Sequence, residues 1–206
     1  MNKVYTIGYS AYSVAEFIAV LKRYGINAVA DVRTLPYSHY RPEFNQNSLA
    51  EELRRNQINY VFLGQECGAR PPEQSCYVNG QVSFTALSQT KRFIDGLKRL
   101  QNGAKRWVIA IMCAEQDPIC CHRYMLVARE LCKYCPDIEI VNILADGKLE
   151  SKNETETRLL QLHKLDQEEF PGFGRSFTER LSEAYAKQGE RIAYQVNDIA
   201  QEQYDH

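Results

Sequence analysis

The chain has 206 residues, a formal net charge of −1, 44% hydrophobic and 25% charged side chains. That is the balance of a globular protein of one domain, or one domain with an appendage. The near-zero charge excludes broad, sequence-independent nucleic-acid binding, which needs a basic excess, and no window approaches the ~18 apolar residues that span a bilayer.

The start, Met-Asn-Lys-Val-Tyr-Thr-Ile-Gly, lacks the apolar core and cleavage site of a signal peptide. Seven cysteines, an odd number in a chain large enough to build its own core, read as thiols, ligands or catalytic groups of a cytoplasmic protein rather than a disulfide framework. Residues 3–9 predict a first strand. Ser13 and Glu16 form a capping-box pattern, and Val14, Phe17, Ile18 and Leu21 give the stripe of an amphipathic helix that Gly25 closes. Residues 28–33 predict a second strand. After a loop rich in Pro, Tyr and His, Ser48 and Glu51 suggest another capped helix, reaching about Asn56.

Residues 59–63 predict a third strand, and residues 64–83 carry no clear period, which in a compact domain marks a functional connection. One helix is expected from about Phe84 to Leu100, then strands over 107–112 and 138–144 on either side of a helix after Cys121. Asn153 is expected to cap a helix carrying Leu159, Leu160 and Leu162. Strict alternation of apolar strands with helices implies a Rossmann-like α/β three-layer sandwich with a mostly parallel sheet of about five strands, over residues 1–165. Residues 166–206 hold the turn segment Phe170-Pro-Gly-Phe-Gly174 and a helix from Ser176 and Glu179 to near Gly189. With too little apolar material to fold alone, they are expected to pack on the main domain as a helical C-terminal extension.

The most reactive stretch is Cys113-Ala-Glu-Gln-Asp-Pro-Ile-Cys-Cys-His-Arg123, between a buried strand and a helix. Parallel sheets place their sites at the carboxyl ends of the strands. Those ends here carry Tyr9 and Ser10, Asp31 and Arg33, residues 66–70, Cys113 and Glu115, and Asp146-Gly147; Arg41 lies in the loop beyond the second strand. Adjacent residues on a helix point about 100° apart, so Cys121 and His122 aim at one point only if they belong to an irregular helix entry, which weakens a metal cage. The pair Cys132 and Cys135 sits about 16 Å along the helix from Cys121, at a C-terminus where the dipole disfavours a thiolate, and reads as structural. A short anion-cradling loop of the rhodanese or cysteine-phosphatase kind needs an Arg about six residues after the Cys. Here the first is Arg123, ten on.

The chain resembles the domain-of-unknown-function 488 family of bacterial and archaeal proteins. The matching residues are Thr6-Ile-Gly-Tyr-Ser10, Asp31-Val-Arg33 with Pro36, Arg41-Pro42 with Phe44, Gly68 and Arg70, Cys113-Ala-Glu115, Asp117-Pro118 and Cys121-His122-Arg123. Ala184-Tyr185 and Ile192-Ala-Tyr194 are similar to the tail of its longer members. The resemblance implies a Rossmann-like domain and no established activity. Ala69 stands where the family usually has glycine, and Cys120 is an addition to its pattern.

The leading expectation is an enzyme, a hydrolase or transferase, acting on a phosphate-bearing small molecule, a nucleotide or a nucleic-acid end. Cys113 is its nucleophile or key thiol, His122 its acid/base and Glu115 a second acid/base candidate. Ser10, Arg33, Arg41, Arg70, Cys121 and Arg123 are expected to bind the substrate, since guanidinium forks suit phosphate. No cofactor, metal or membrane partner is expected. A binding module without chemistry, and a metal site built from Cys113, Cys121 and His122, are the alternatives.

Overall fold

A computed structural model describes residues 2–167 and 174–196. Its core is a six-stranded sheet in the order β3-β2-β6-β1-β7-β8, formed by β1 (Asn2–Gly8), β2 (Ala28–Asp31), β3 (Asn59–Phe62), β6 (Ile109–Cys113), β7 (Ile138–Ile143) and β8 (Leu149–Ser151). All neighbours pair in parallel except β7 and β8. The expected five strands gain β8, a three-residue antiparallel edge strand too short to show a period of two.

Period-two alternation builds the layers. On one face, Tyr5, Ile7, Val29, Ala110 and Met112 pack with Phe17 and Leu21 of α1 (Val14–Arg23) and with Leu49 and Leu53 of α2 (Gln46–Arg55). On the other, Val4, Ala30, Ile109, Ile111 and Cys113 meet α5 (Lys91–Ala104), the helix after Cys121, α7 (Lys152–Leu162) and α8 (Phe177–Ile192). This is a Rossmann-like three-layer sandwich. Among the described residues no helix is long and apolar enough to cross a membrane.

The capping box at Ser13 and Glu16 is present, as is the one at Ser176 and Glu179, and Gly25 adopts φ +66° after α1. Other boundaries differ. Asn45, not Ser48, precedes α2, and Ser151, not Asn153, caps α7 through a capping box with Glu154. The helix expected over 84–100 is two, α4 (Phe84–Ser88) and α5, because Thr90 stops the first and caps the second through Phe93 N. Residues 64–83 hold α3 (Gly64–Cys67) and a hairpin of β4 (Tyr77–Val78) and β5 (Gln81–Val82), turned by Asn79 and Gly80 at φ 51° and 80°. That pairing of positive φ values is what an Asn-Gly hairpin turn requires. The turn expected at Phe170-Pro-Gly-Phe-Gly174 lies, apart from Gly174, outside the described residues.

The topology positions the site. β2 passes the chain outward to β3, whereas its neighbour β6 passes it across β1 to β7. Connections leaving adjacent parallel strands in opposite directions open a crevice at their carboxyl ends. Arg33 follows β2 there, and Cys113 ends β6.

Candidate functional site

Cys113 shares the parity of Ile109 and Ile111, so its side chain projects onto the face where the next helix begins. The chain returns through a loop in which Asp117 accepts the Ile119 N–H, Cys121 is extended (φ −136°, ψ 137°) and His122 is already helical (φ −61°, ψ −24°). That change of backbone state between neighbours turns both side chains onto Cys113. One ligand-type atom each of Cys113, Cys121 and His122 lies within 4.8 Å of the others, with all three residues buried. Residues Arg123–Ala128 then wind as a π-helix before α6 (Arg129–Tyr134), a form found often at functional sites.

The hydrogen bonds fix the imidazole. His122 Nε2 lies 3.0 Å from the Val32 carbonyl oxygen, and Nδ1 faces Cys113 Sγ at 3.7 Å. A carbonyl only accepts, so Nε2 carries a proton and the neutral ring leaves its lone pair on Nδ1. Cys121 Sγ lies 2.7 Å from Glu115 Oε2, one proton between them, and the Arg123 backbone N–H points at the same sulfur at 3.5 Å. Negative charge is drawn to Cys121. Burial opposes it, but a hydrogen bond from Cys113, the nearby Arg123 cation and His122 together hold the Cys121 thiol well below its ordinary value. Donating that bond, and burial, hold the Cys113 thiol well above its own. Burial and the neighbouring Cys121 raise the Glu115 carboxyl. The His122 imidazole is also raised, the contact with Cys121 outweighing burial.

Above this cluster lies a cleft of about 580 Å³, lined among others by Tyr9, Arg33, Arg70, Cys113, Glu115 and His122. Arg33 is 5% exposed, lies over the Tyr9 ring, and binds the Asp31 carboxylate through Nε and Nη2, with Nη2 also on the Phe44 carbonyl. Its Nη1 is buried without a hydrogen-bond partner among the described residues. Arg70 lies over the Tyr194 ring, with its backbone N–H on Thr34 Oγ1. Of the expected arginines, these two reach the cleft.

The other two fasten loops. Arg123 is fully buried, and its Nη1 and Nη2 donate to the Glu115 and Gln116 carbonyls. Arg41 donates to Glu43 and to the carbonyls of Ser10 and Tyr12. Ser10 acts through its backbone, giving its N–H to the Ala114 carbonyl. Cys121 sits behind Cys113, 1% exposed, as partner to the cluster rather than a cleft residue.

Cys132 and Cys135 stay apart from the cluster, and burial raises both thiols, in keeping with a structural reading. All seven cysteines are free. Sequence reasoning missed Arg191, which lines the cleft from the end of α8. No local motif marks it. It arrives because Gln188 donates to the Ile119 carbonyl, Tyr185 hydroxyl to Glu156, and the Tyr194 carbonyl accepts from Val82. The tail pattern Ile192-Ala-Tyr194 was the available signal, and all three of its residues line the cleft.

Neither a comparison with curated proteins nor one with solved structures finds a match. A family model described as "Domain of unknown function DUF488" matches residues 13–129, a stretch that spans Arg33, Arg70 and the whole segment from Cys113 to Arg123. The chain therefore belongs to the DUF488 family.

Proposed function

We propose that this protein is an enzyme acting on a phosphate-bearing substrate, a nucleotide or nucleic-acid end, by hydrolysis or group transfer. Arg33 and Arg70 receive the anion, the Cys113–Cys121–His122 cluster is the reacting centre, and Glu115 beside it carries protons. Seven free thiols suit a reducing, cytoplasmic setting.

The observation that carries this reading is the unpartnered Arg33 Nη1. Asp31 and Phe44 hold the rest of the guanidinium rigidly, leaving one donor unsatisfied in a residue that lines the same cleft as Cys113 and His122. A buried donor without a partner costs about 1–3 kcal/mol. A phosphate or carboxylate oxygen would satisfy it.

Calorimetric titration with inorganic phosphate, pyrophosphate and nucleoside monophosphates tests the anion site. Binding that weakens about 10- to 100-fold in Arg33→Gln, the loss of one charged hydrogen bond, supports it. No binding, or binding indifferent to Arg33, overturns it. Phosphate release from a nucleotide panel, abolished in Cys113→Ser, tests the enzyme. Tight binding with no turnover of any phosphate ester leaves a binding module instead.

A further inference from the structure

We propose that Cys113, Cys121 and His122 form a binding site for a thiophilic, tetrahedral divalent ion of the zinc class, with a fourth position on the cleft side. This deepens the reading above by naming what the reacting centre holds, and it rests on that reading only in taking the cluster as the working centre.

Three observations carry it. The first is spacing. Sulfur and nitrogen ligands on one tetrahedral zinc stand about 3.6 Å apart, given bonds near 2.3 and 2.05 Å. Cys113 Sγ and His122 Nδ1 stand 3.7 Å apart, with the third ligand atom inside the same 4.8 Å group. The second is the imidazole. A metal-binding histidine gives its other ring N–H to a carbonyl or carboxylate, which fixes tautomer and direction. The Val32 carbonyl does this for Nε2 and presents Nδ1 bare.

The third is rigidity. The segment bearing the ligands is fastened by Arg123 at the Glu115 and Gln116 carbonyls, by Arg158 at Asp117 and by Gln188 at the Ile119 carbonyl. A site held open for an ion needs such support, because ligand distances tolerate only about ±0.2 Å.

The donor set selects the ion. Two sulfurs and one imidazole suit zinc and other soft or borderline ions, not magnesium or calcium, which take oxygen. Binding forms two metal–sulfur bonds and one metal–nitrogen bond; the Cys113 proton goes to solvent, and the proton shared by Cys121 and Glu115 stays on Glu115, which donates it to the bound sulfur. Glu115 stays outside this set as the side chains stand. Its oxygen is 2.7 Å from Cys121 Sγ, closer than two ligands of one zinc approach, so it serves as hydrogen-bond partner to that sulfur. Three protein ligands with a fourth position left for water or substrate is the pattern of catalytic rather than structural zinc.

The test uses the full chain, purified under reducing conditions without chelator. Elemental analysis is expected to find about one zinc per chain after growth with added zinc. Titrating the metal-free protein with Co2+ is expected to give a sulfur-to-cobalt charge-transfer band and intense tetrahedral d–d bands, saturating at one equivalent. Cys121→Ser and Cys113→Ser are expected to lose the bands, while Cys132→Ser and Cys135→Ser keep them. Wild type guards against misfolded variants. Zinc is expected to slow iodoacetamide labelling of Cys113 and Cys121 at least tenfold, mapped by mass spectrometry, with Cys120 labelled equally in both states. Absence of a sulfur-to-cobalt band, or labelling of the pair unchanged by zinc, overturns the proposal. Phosphate enters none of these measurements, so cobalt binding without phosphate binding discards the substrate and keeps the metal site, and the converse does the opposite.

Discussion

Replacing Gly8 by alanine separates steric support of the site from general loss of stability. Gly8 ends β1 with φ −102° and ψ 125°, a conformation open to any residue, so its need for glycine is one of space. A Cβ there would sit 1.8 Å from the Glu115 carbonyl oxygen and 2.6 Å from its carbon, where ordinary contact begins at 3.4 Å. The Glu115 backbone must therefore yield by about 1.6 Å, several times the ~0.2 Å that ligand geometry tolerates. It cannot move freely, because Arg123 donates to that oxygen and Ser10 N–H to Ala114 O at 3.1 Å. Overpacking and the strained bonds together should cost about 2–4 kcal/mol, lowering Tm by roughly 5–15 °C in a chain of this size. Gly25→Ala is the control. Among the described residues it meets nothing within 4 Å but sits at φ +66°, so it should cost about 1–2 kcal/mol and leave the site alone. Urea unfolding and cobalt titration of both variants are the assays. A Gly8→Ala protein with wild-type midpoint and wild-type cobalt spectrum would refute the reasoning.

Two further predictions concern charges that support the site. Asp31→Asn leaves the Arg33 guanidinium buried beside a neutral amide, since Asp31 is fully buried and Tyr60 already donates to it at 2.7 Å. The expected loss is about 3–5 kcal/mol by urea denaturation, and a loss below that of Tyr60→Phe would contradict it. For Asp117, burial is outweighed by Arg158 and the Ile119 N–H, so its pKa is lowered on folding. A depressed carboxyl adds stability that is full above the unfolded value near pH 3.9 and is lost as pH falls through the lower folded value. Because the side chain is 40% exposed, solvent screening keeps that contribution under about 1 kcal/mol. The destabilisation of Asp117→Asn should thus be present at pH 6 and vanish towards pH 2.5, and an equal difference at both pH values would sink the idea.

The layers were legible because apolar runs such as residues 109–113 and 138–143 can be satisfied only by burial on both faces. The capping boxes at Ser13 and Ser176 were legible because they are local chemistry. Ser48 and Asn153 instead lie inside their helices: the capping box of α7 is Ser151 with Glu154, and Asn45 precedes α2 without a side-chain cap. The Asn79-Gly80 hairpin is local turn chemistry within residues 64–83, and its two-residue strands are too short to show a period. Arginine roles were not legible. Arg33, Arg41, Arg70 and Arg123 look alike in a string, and only their partners and surroundings show that Arg41 and Arg123 fasten loops while Arg33 lines the cleft.

The most instructive difference lies between Cys121 and His122. Helical spacing sets neighbouring side chains about 100° apart, so the pair was expected to share one target only at an irregular helix entry. The helix does begin irregularly, at His122. Cys121 is the extended residue that closes the turn at residues 118–120, and His122 is the first helical one. One ψ rotation between them brings a sulfur and an imidazole onto the same point beside Cys113. The remaining parts follow from where that point falls. Gly8 lets the Glu115 loop approach β1, Arg123 and Gln188 fasten it, and the β2–β6 crevice supplies Arg33 and the Val32 carbonyl. A cysteine and a histidine adjacent in sequence therefore converge through the irregular residue at a helix start, which is where a strand, a loop and a helix can each contribute a group to one site.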